Sequence, residues 1–245
     1  NLVSEYYDLE KGVDRKDTFG SSKVLVEDLL PPKTVLNAGY ISFALGFLLG
    51  MVLVYVHGLP ILYLGLFGIA GGVFYTGKPI GYKYVALGDM LVFLLMGPLM
   101  VVGSYFSLTG MFEWNVIIVS IPIGFLVTAI LNANNIRDIK HDSEANVKTL
   151  ATLLGIDAAK KEYYFLVFGA YLSVVLMVVT GLLLFWTLII IISLPVALKN
   201  IKSISIAEVK KPEAIAMMDI KTAQLHMQFG ILLTIGLVLT AILKN

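Results

Sequence analysis

The sequence predicts an all-α fold, a polytopic transmembrane helical bundle. Three observations lead there: an apolar composition, a series of apolar runs of bilayer-spanning length, and the confinement of nearly every charge to alternate connections. Hydrophobic residues fill 58% of the 245 positions and charged residues only 14%, with a mean hydropathy of +0.87. A water-soluble domain of this size cannot hide that much apolar surface, so its solvent is lipid. A formal net charge of +1 supplies no basic field for nucleic acid, which is excluded as a partner. With no cysteine and only three histidines, disulfides, thiolate metal sites and a cysteine nucleophile are excluded, and any metal must be held mainly by oxygen.

Taken in order, apolar runs cover residues 35–57, 59–76, 87–108 and 114–131, each near the roughly 20 residues a helix needs to cross a bilayer. The run over 163–198 is too long for one crossing at about 1.5 Å per residue, and reads as two helices turning near Gly181. A last span covers 225–243. The whole of 1–245 reads as one domain.

Connections alternate in character. Placing residues 1–33 on one side of the membrane gathers every Lys and Arg there except Lys244, and every carboxylate except Glu113. Lys and Arg are retained in the cytoplasm during insertion, so this face is expected to be cytoplasmic, in a cell membrane. Most of the lysines need no other explanation than the cost of moving charge through lipid. The ordered carboxylates do.

The first ordered set lies in NLVSEYYDLEKGVDRKD. On a helix Asn1, Glu5 and Asp8 fall at i, i+4 and i+7, lining one face with oxygen. Gly12 permits a reversal that returns Asp14 toward them, and Arg15, Lys16 and Lys23 follow. Alone, such a cluster is usually a solvated loop. A second set, in LNANNIRDIKHD, closes the fourth span. Asn134, Asp138 and Asp142 are spaced by four, with Arg137 and His141 one step around the helix and Lys140 between them. Stacked like charges destabilise a helix by roughly 0.2–0.5 kcal/mol per pair, a cost that a bound hard cation reverses. Because Mg²⁺ takes one or two carboxylates and fills its shell with water and phosphate, two acidic stripes suggest a diphosphate bridged through metal ions. The bland alternative for Asp138 and Asp142 is a capped helix end.

A third piece, YTGKPIGYKYVALGD from Tyr75 to Asp89, breaks the chain at Gly77, Pro79 and Gly81 and aims Lys78 and Lys83 at the same membrane face. Lys83 is suited to neutralise charge on a leaving diphosphate; the competing reading is a lysine snorkelling from a helix end. Asp89 opens an apolar run, where an ionisable group is costly unless paired or functional.

At these motifs (NLVSEYYDLEKGVD, VFYTG, GYKYVALGD, NNIRDIKHD and DSEANVKTLATLLG) the sequence resembles the UbiA superfamily of intramembrane prenyltransferases, and within it the MenA and vitamin K2-forming branch. The resemblance runs in order through nearly the whole chain. It implies a nine-helix bundle with a central cavity under a cytoplasmic cap, of which seven to eight helices are expected here; the first helix and most of the second are expected upstream of Asn1. Glu5 stands where the bacterial pattern has Asp, and Asn146 where relatives commonly have Gly.

The implied reaction is Mg²⁺-dependent transfer of an isoprenyl chain from an allylic diphosphate to an aromatic quinone precursor resembling 1,4-dihydroxy-2-naphthoate, releasing pyrophosphate. The resemblance assigns metal binding to Asn1, Glu5, Asp8, Asp14, Asn134, Asp138 and Asp142, and catalysis to Lys83, Asp138, Asp142 and Asp8. Substrate binding falls to Asn1, Arg15, Lys23, Tyr75, Lys83, Tyr84, Asn134, Arg137 and Lys140. Tyr75 and Tyr84 are either cation-stabilising faces or interfacial belt residues. Two alternatives stand beside this reading. One is transfer to a glycerol phosphate ether-lipid precursor; the other is a secondary transporter with cytoplasmic-side acids, to which the similar motifs around Asn1 and Asn134 lend a hint of internal repetition.

Overall fold

The computed structural model describes residues 1–20 and 22–243; Lys244 lies outside them. Among the described residues the chain is helical, with no strand beyond one isolated bridge between Val85 and Lys148. A short helix α1 (Leu2–Glu10) precedes α2 (Pro32–His57) and α3 (Leu59–Val73). Next come α4 (Gly88–Thr109) and the long α5 (Trp114–Glu144). A single turn α6 (Leu150–Leu154) leads to α7 (Ile156–Val179), followed by α8 (Phe185–Ser205) and α9 (Pro212–Leu243). Six of these, α2, α4, α5, α7, α8 and α9, are long and apolar enough to cross a bilayer.

Several boundaries differ from the sequence expectation, and those at the charged end matter most. The second run, expected to reach residue 76, stops at Val73, about 22 Å of helix at 1.5 Å per residue. Phe74 to Gly77 turns instead, with the Gly77 N–H donating to the Val73 carbonyl at 3.0 Å. The fourth apolar run, ending at residue 131, continues without a break through the expected helical stripe of Asn134, Asp138 and Asp142 to Glu144, most of it buried against neighbouring helix ends.

The core lies between α5, α7, α8 and α9, where Leu126, Ala129, Tyr163, Val167, Ile190, Leu225 and Phe229 are fully buried. By contrast, α2 buries only Val35 and Gly39 and turns Leu48, Leu49, Val52 and Tyr55 outward, the pattern of a helix whose solvent is lipid. Pro98 sits inside α4, and the five residues from Leu95 to Leu99 open into wider turns around it, as expected where a ring removes a backbone donor. There α4 meets α5 backbone to backbone: a Cβ on Gly97 would lie 2.7 Å from the Gly124 Cα.

Candidate active site

All three charged motifs meet at one end of the bundle. After α1 the chain reverses at Gly12 (φ +70°), and the N–H groups of Val13 and Asp14 donate to the Asp8 carbonyl at 2.8 and 3.3 Å. Asp14 is thereby folded back beside Asp8. The Asp8 carboxylate, 6% exposed, accepts from the Lys83 amine at 2.7 Å and from the Tyr84 hydroxyl at 2.8 Å. Lys83 and Tyr84 belong to a tight turn, Tyr82–Tyr84, tied to the end of α3 by Lys83 N–H to the Tyr75 carbonyl at 2.9 Å. The same turn is tied to the segment after α5: Ala86 N–H donates to the Lys148 carbonyl at 2.7 Å, and Lys148 N–H to the Tyr84 carbonyl at 3.2 Å. Backbone hydrogen bonds therefore set Lys83 between the two acidic stripes.

On α5, Arg137 is almost fully buried and grips Asp138 with two nitrogens, at 2.8 and 2.7 Å. Its remaining nitrogen donates to Asp219 at 3.0 Å and to the Ala216 carbonyl at 3.2 Å, both at the start of α9. Gly20 lies against this guanidinium; a Cβ there would stand 2.5 Å from Nη2. Asp142, 5% exposed, makes no side-chain hydrogen bond among the described residues.

The electrostatics mark the centre. Burial pulls the Lys83 amine down, but attraction to Asp8, Tyr75 and Asp142 outweighs it and holds the group above the ordinary lysine range. Asp142 and Asp8, from helices far apart in sequence, thus act on one cation. Burial, reinforced by repulsion from Asp8 and Glu5, pushes the Asp14 carboxyl up to about 6. Burial likewise pushes the Tyr75 hydroxyl up to about 12, so it stays a neutral phenol.

The other residues read from the sequence are spread around this centre. Glu5 accepts from the Ser22 hydroxyl at 2.8 Å. Arg15 pairs with Glu144 at 2.7 Å, joining the first loop to the end of α5. The Lys23 amine is taken up by the carbonyls of Arg15, Lys16 and Thr18, staples of its own loop. Lys140 is exposed, 4.0 Å from Glu144. Asn1 is exposed at the α1 N-cap, about 10 Å along the helix from Asp8. Asn134 is half-buried one turn before Asp138. Tyr84 has its hydroxyl on Asp8 and the Lys11 amine 4.5 Å from its ring centre.

Among the described residues no three His, Asp or Glu side chains stand close enough to cage an ion by themselves. The donor chemistry nevertheless fits a hard cation that shares its shell with phosphate. Such an ion asks for one or two carboxylates, and the pairs Asp8 with Asp14 and Asp138 with Asp142 offer them.

Three features escaped the reading of the sequence. Asp219 holds Arg137 from 82 positions away, a distance that leaves no local pattern. Gly20 is a glycine that a loop would carry for many reasons. The third is Glu162, which accepts from Asn132 at 2.9 Å and was signalled only by standing just ahead of the apolar run that begins at Tyr163; Asp89, which the sequence did single out, faces Asn135.

A lipid-facing helical bundle with paired acids and captive cations at one end defines a class, integral membrane proteins that carry a charged site at the rim of an apolar interior. The UbiA prenyltransferase family profile matches residues 1–222, and the chain belongs to that family of membrane prenyltransferases. It is 34% identical over 240 residues to 1,4-dihydroxy-2-naphthoate octaprenyltransferase of Bacillus subtilis (strain 168), covering 98% of this chain and 76% of that protein. The Drosophila melanogaster homolog of UbiA prenyltransferase domain-containing protein 1 is 32% identical over 96% of this chain and 64% of its own length. Human UbiA prenyltransferase domain-containing protein 1 is 37% identical over 70% of this chain and 51% of its own. The matched region thus spans about half to three quarters of these relatives.

Proposed function

We propose that the chain transfers an isoprenyl group from an allylic isoprenyl diphosphate to a hydroxylated aromatic acceptor of the 1,4-dihydroxy-2-naphthoate kind, releasing pyrophosphate. One observation carries the reading: the Lys83 amine, hydrogen-bonded to Asp8 of α1 at 2.7 Å and attracted also by Asp142 of α5, draws both acidic motifs to one cation beyond the end of an apolar groove. The groove, of about 550 Å³, lies between α2, α3 and α4, and its walls include Leu53, Ile61, Leu64, Gly72, Leu95 and Leu99. It runs along α3 from Ile61 to Gly72, stopping one turn short of Tyr75. An isoprenyl chain laid in it gains about 0.8 kcal/mol per buried CH₂, with its diphosphate at the charged end.

The residues divide the work by charge. Mg²⁺ held by Asp8 with Asp14 and by Asp138 with Asp142 would neutralise the diphosphate and favour its departure. Lys83 and Arg137 are fixed cations, each oriented by a carboxylate, so neither must reorganise as negative charge builds on the leaving group. Tyr75 and Tyr84 close the end of the site, keeping water from the allylic cation. The ring carbon then supplies the electron pair for the new bond. The excess of Lys and Arg on this face supports a cytoplasmic site.

The protein in detergent, given geranylgeranyl diphosphate, 1,4-dihydroxy-2-naphthoate and Mg²⁺, should release pyrophosphate and form a prenylated ring product; EDTA should stop both reversibly. Transfer to glycerol phosphate but not to the aromatic would overturn the acceptor assignment. No transfer to either, in protein that binds the diphosphate, would overturn the reading itself.

A further inference from the structure

Asp219 belongs to none of the acidic motifs, yet it reaches into one of them. It stands in the first turn of the helical stretch Met218–Leu243 of α9, and its neighbours fix that turn. Ile215 and Met218 are buried beside it. The Tyr163 hydroxyl of α7 lies 2.8 Å from the Thr222 hydroxyl, and the Asn200 amide of α8 donates to the Lys221 carbonyl at 3.1 Å. Of the two Asp219 oxygens, one accepts from the Ile220 N–H at 2.8 Å and the other from Arg137 at 3.0 Å. The carboxylate is therefore held in place before any ligand arrives.

Exposure varies along the row of Asp138, Arg137 and Asp219. The Arg137 side chain is 3% exposed, while the carboxylates on either side of it are 21% and 17% exposed. One enclosed guanidinium thus serves two carboxylates, and the trio keeps a net negative charge. Paired with Asp138 alone, the same guanidinium would cancel that charge and compete with any other cation for the carboxylate. The two-nitrogen grip on Asp138 occupies one lone pair on each oxygen and leaves the others available. Asp219 draws part of the guanidinium's charge away, so those lone pairs can attract an ion.

Resting on the proposed function, we propose that Asp219 is a positioning residue for the reaction: by sharing Arg137 it fixes the guanidinium and keeps Asp138 able to bind Mg²⁺. Losing the Asp219 charge then weakens the ion at Asp138 although every metal ligand is still present. An ion pair that merely tied α5 to α9 would behave differently, since its loss would lower the melting temperature and leave metal affinity alone.

The test reads the ion directly. Mn²⁺, which shares the octahedral oxygen preference of Mg²⁺, is titrated by its electron paramagnetic resonance signal into detergent-purified protein with geranyl diphosphate. Asp219→Asn keeps the shape and an accepting oxygen but not the charge. It should weaken Mn²⁺ by about 10- to 100-fold, as loss of an outer partner of a metal ligand does. Transfer in this variant should need correspondingly more Mg²⁺ and regain most of its rate once Mg²⁺ saturates. Removing the guanidinium as well, in Arg137→Gln with Asp219→Asn, should recover much of the lost Mn²⁺ affinity, because nothing then competes for Asp138. Wild-type Mn²⁺ affinity in Asp219→Asn, whatever its melting temperature, would overturn the inference, and so would a double variant that binds no tighter than Asp219→Asn. Where Asp219→Asn does not fold, the double variant is compared with Arg137→Gln alone: similar Mn²⁺ affinity is expected, and a further loss of about tenfold would overturn it. Failure of the proposed function shows separately, in wild type that binds Mn²⁺ and geranyl diphosphate yet transfers to no acceptor.

Discussion

The Lys83 amine and the Asp8 carboxylate are 2.7 Å apart across 75 positions of sequence, with the side chains 23% and 8% exposed. This pair joins α1 to the turn between α3 and α4, and it stands where both acidic stripes converge. Removing one partner of a buried pair leaves the other uncompensated, at a cost of about 3–5 kcal/mol. Lys83→Met should therefore lower the unfolding temperature in detergent and reduce transfer by about 100-fold or more. Lys83→Met with Asp8→Leu should recover stability without recovering transfer. Full activity in Lys83→Met would remove the lysine from the mechanism.

Asp142 predicts the opposite balance. It is 5% exposed and has no hydrogen-bonding side chain to steady it among the described residues, so its charge is a liability to the fold. Asp142→Asn should leave the unfolding temperature unchanged or higher, while transfer falls by about 100-fold or more. Thermal melts and initial rates on one preparation decide it; a destabilised, active variant would contradict the assignment.

Asp14 gives a pH dependence. Its carboxyl is pushed up to about 6 from an ordinary 3.8, first by burial and then by Asp8. Between those values the folded protein holds a proton that the unfolded chain has lost, so stability is present below about 4 and declines as pH rises through about 6. Melting curves in EDTA from pH 4 to 7 should show this decline, and Asp14→Asn should flatten it. A slope unaltered by the substitution would assign the titration elsewhere.

Gly20 should be intolerant of even a methyl group. Its φ of +80° disfavours a side chain, and the added Cβ would meet Arg137 Nη2 at 2.5 Å. Gly20→Ala is expected to cost about 1–3 kcal/mol and to loosen Arg137 from Asp138 and Asp219, lowering transfer along with stability. Wild-type melting and rate in this variant would show that the loop yields freely.

Much of this was legible because lipid imposes a length. Runs of about 20 apolar residues announced α2, α4, α5, α7, α8 and α9, and Gly12 announced the return of Asp14 to Asp8. The helical continuation of α5 through Asp142 was legible from the spacing by four of Asn134, Asp138 and Asp142; its burial was not, because the partners of Asn132 and Arg137 lie on other helices. The start of α9 was hidden for the same reason: MDIKTAQ looks like a connection, yet Met218 and Thr222 are fully buried. Of the site, the carboxylates were readable from their spacing by four. The counterpart of Arg137 was not, because an ion pair across 82 positions leaves no trace in either neighbourhood.

The backbone contact between Gly97 and Gly124 bears on how the groove could be reshaped. Where α4 and α5 touch without intervening side chains, no residue can be enlarged without prising the helices apart, so that wall is rigid in an engineering sense. The opposite wall, on α2 and α3, meets lipid rather than protein over much of its surface. Variants selected for longer or shorter donors should therefore accumulate their changes at positions such as Phe47, Met51, Leu64 and Ile69, and leave the glycine seam untouched.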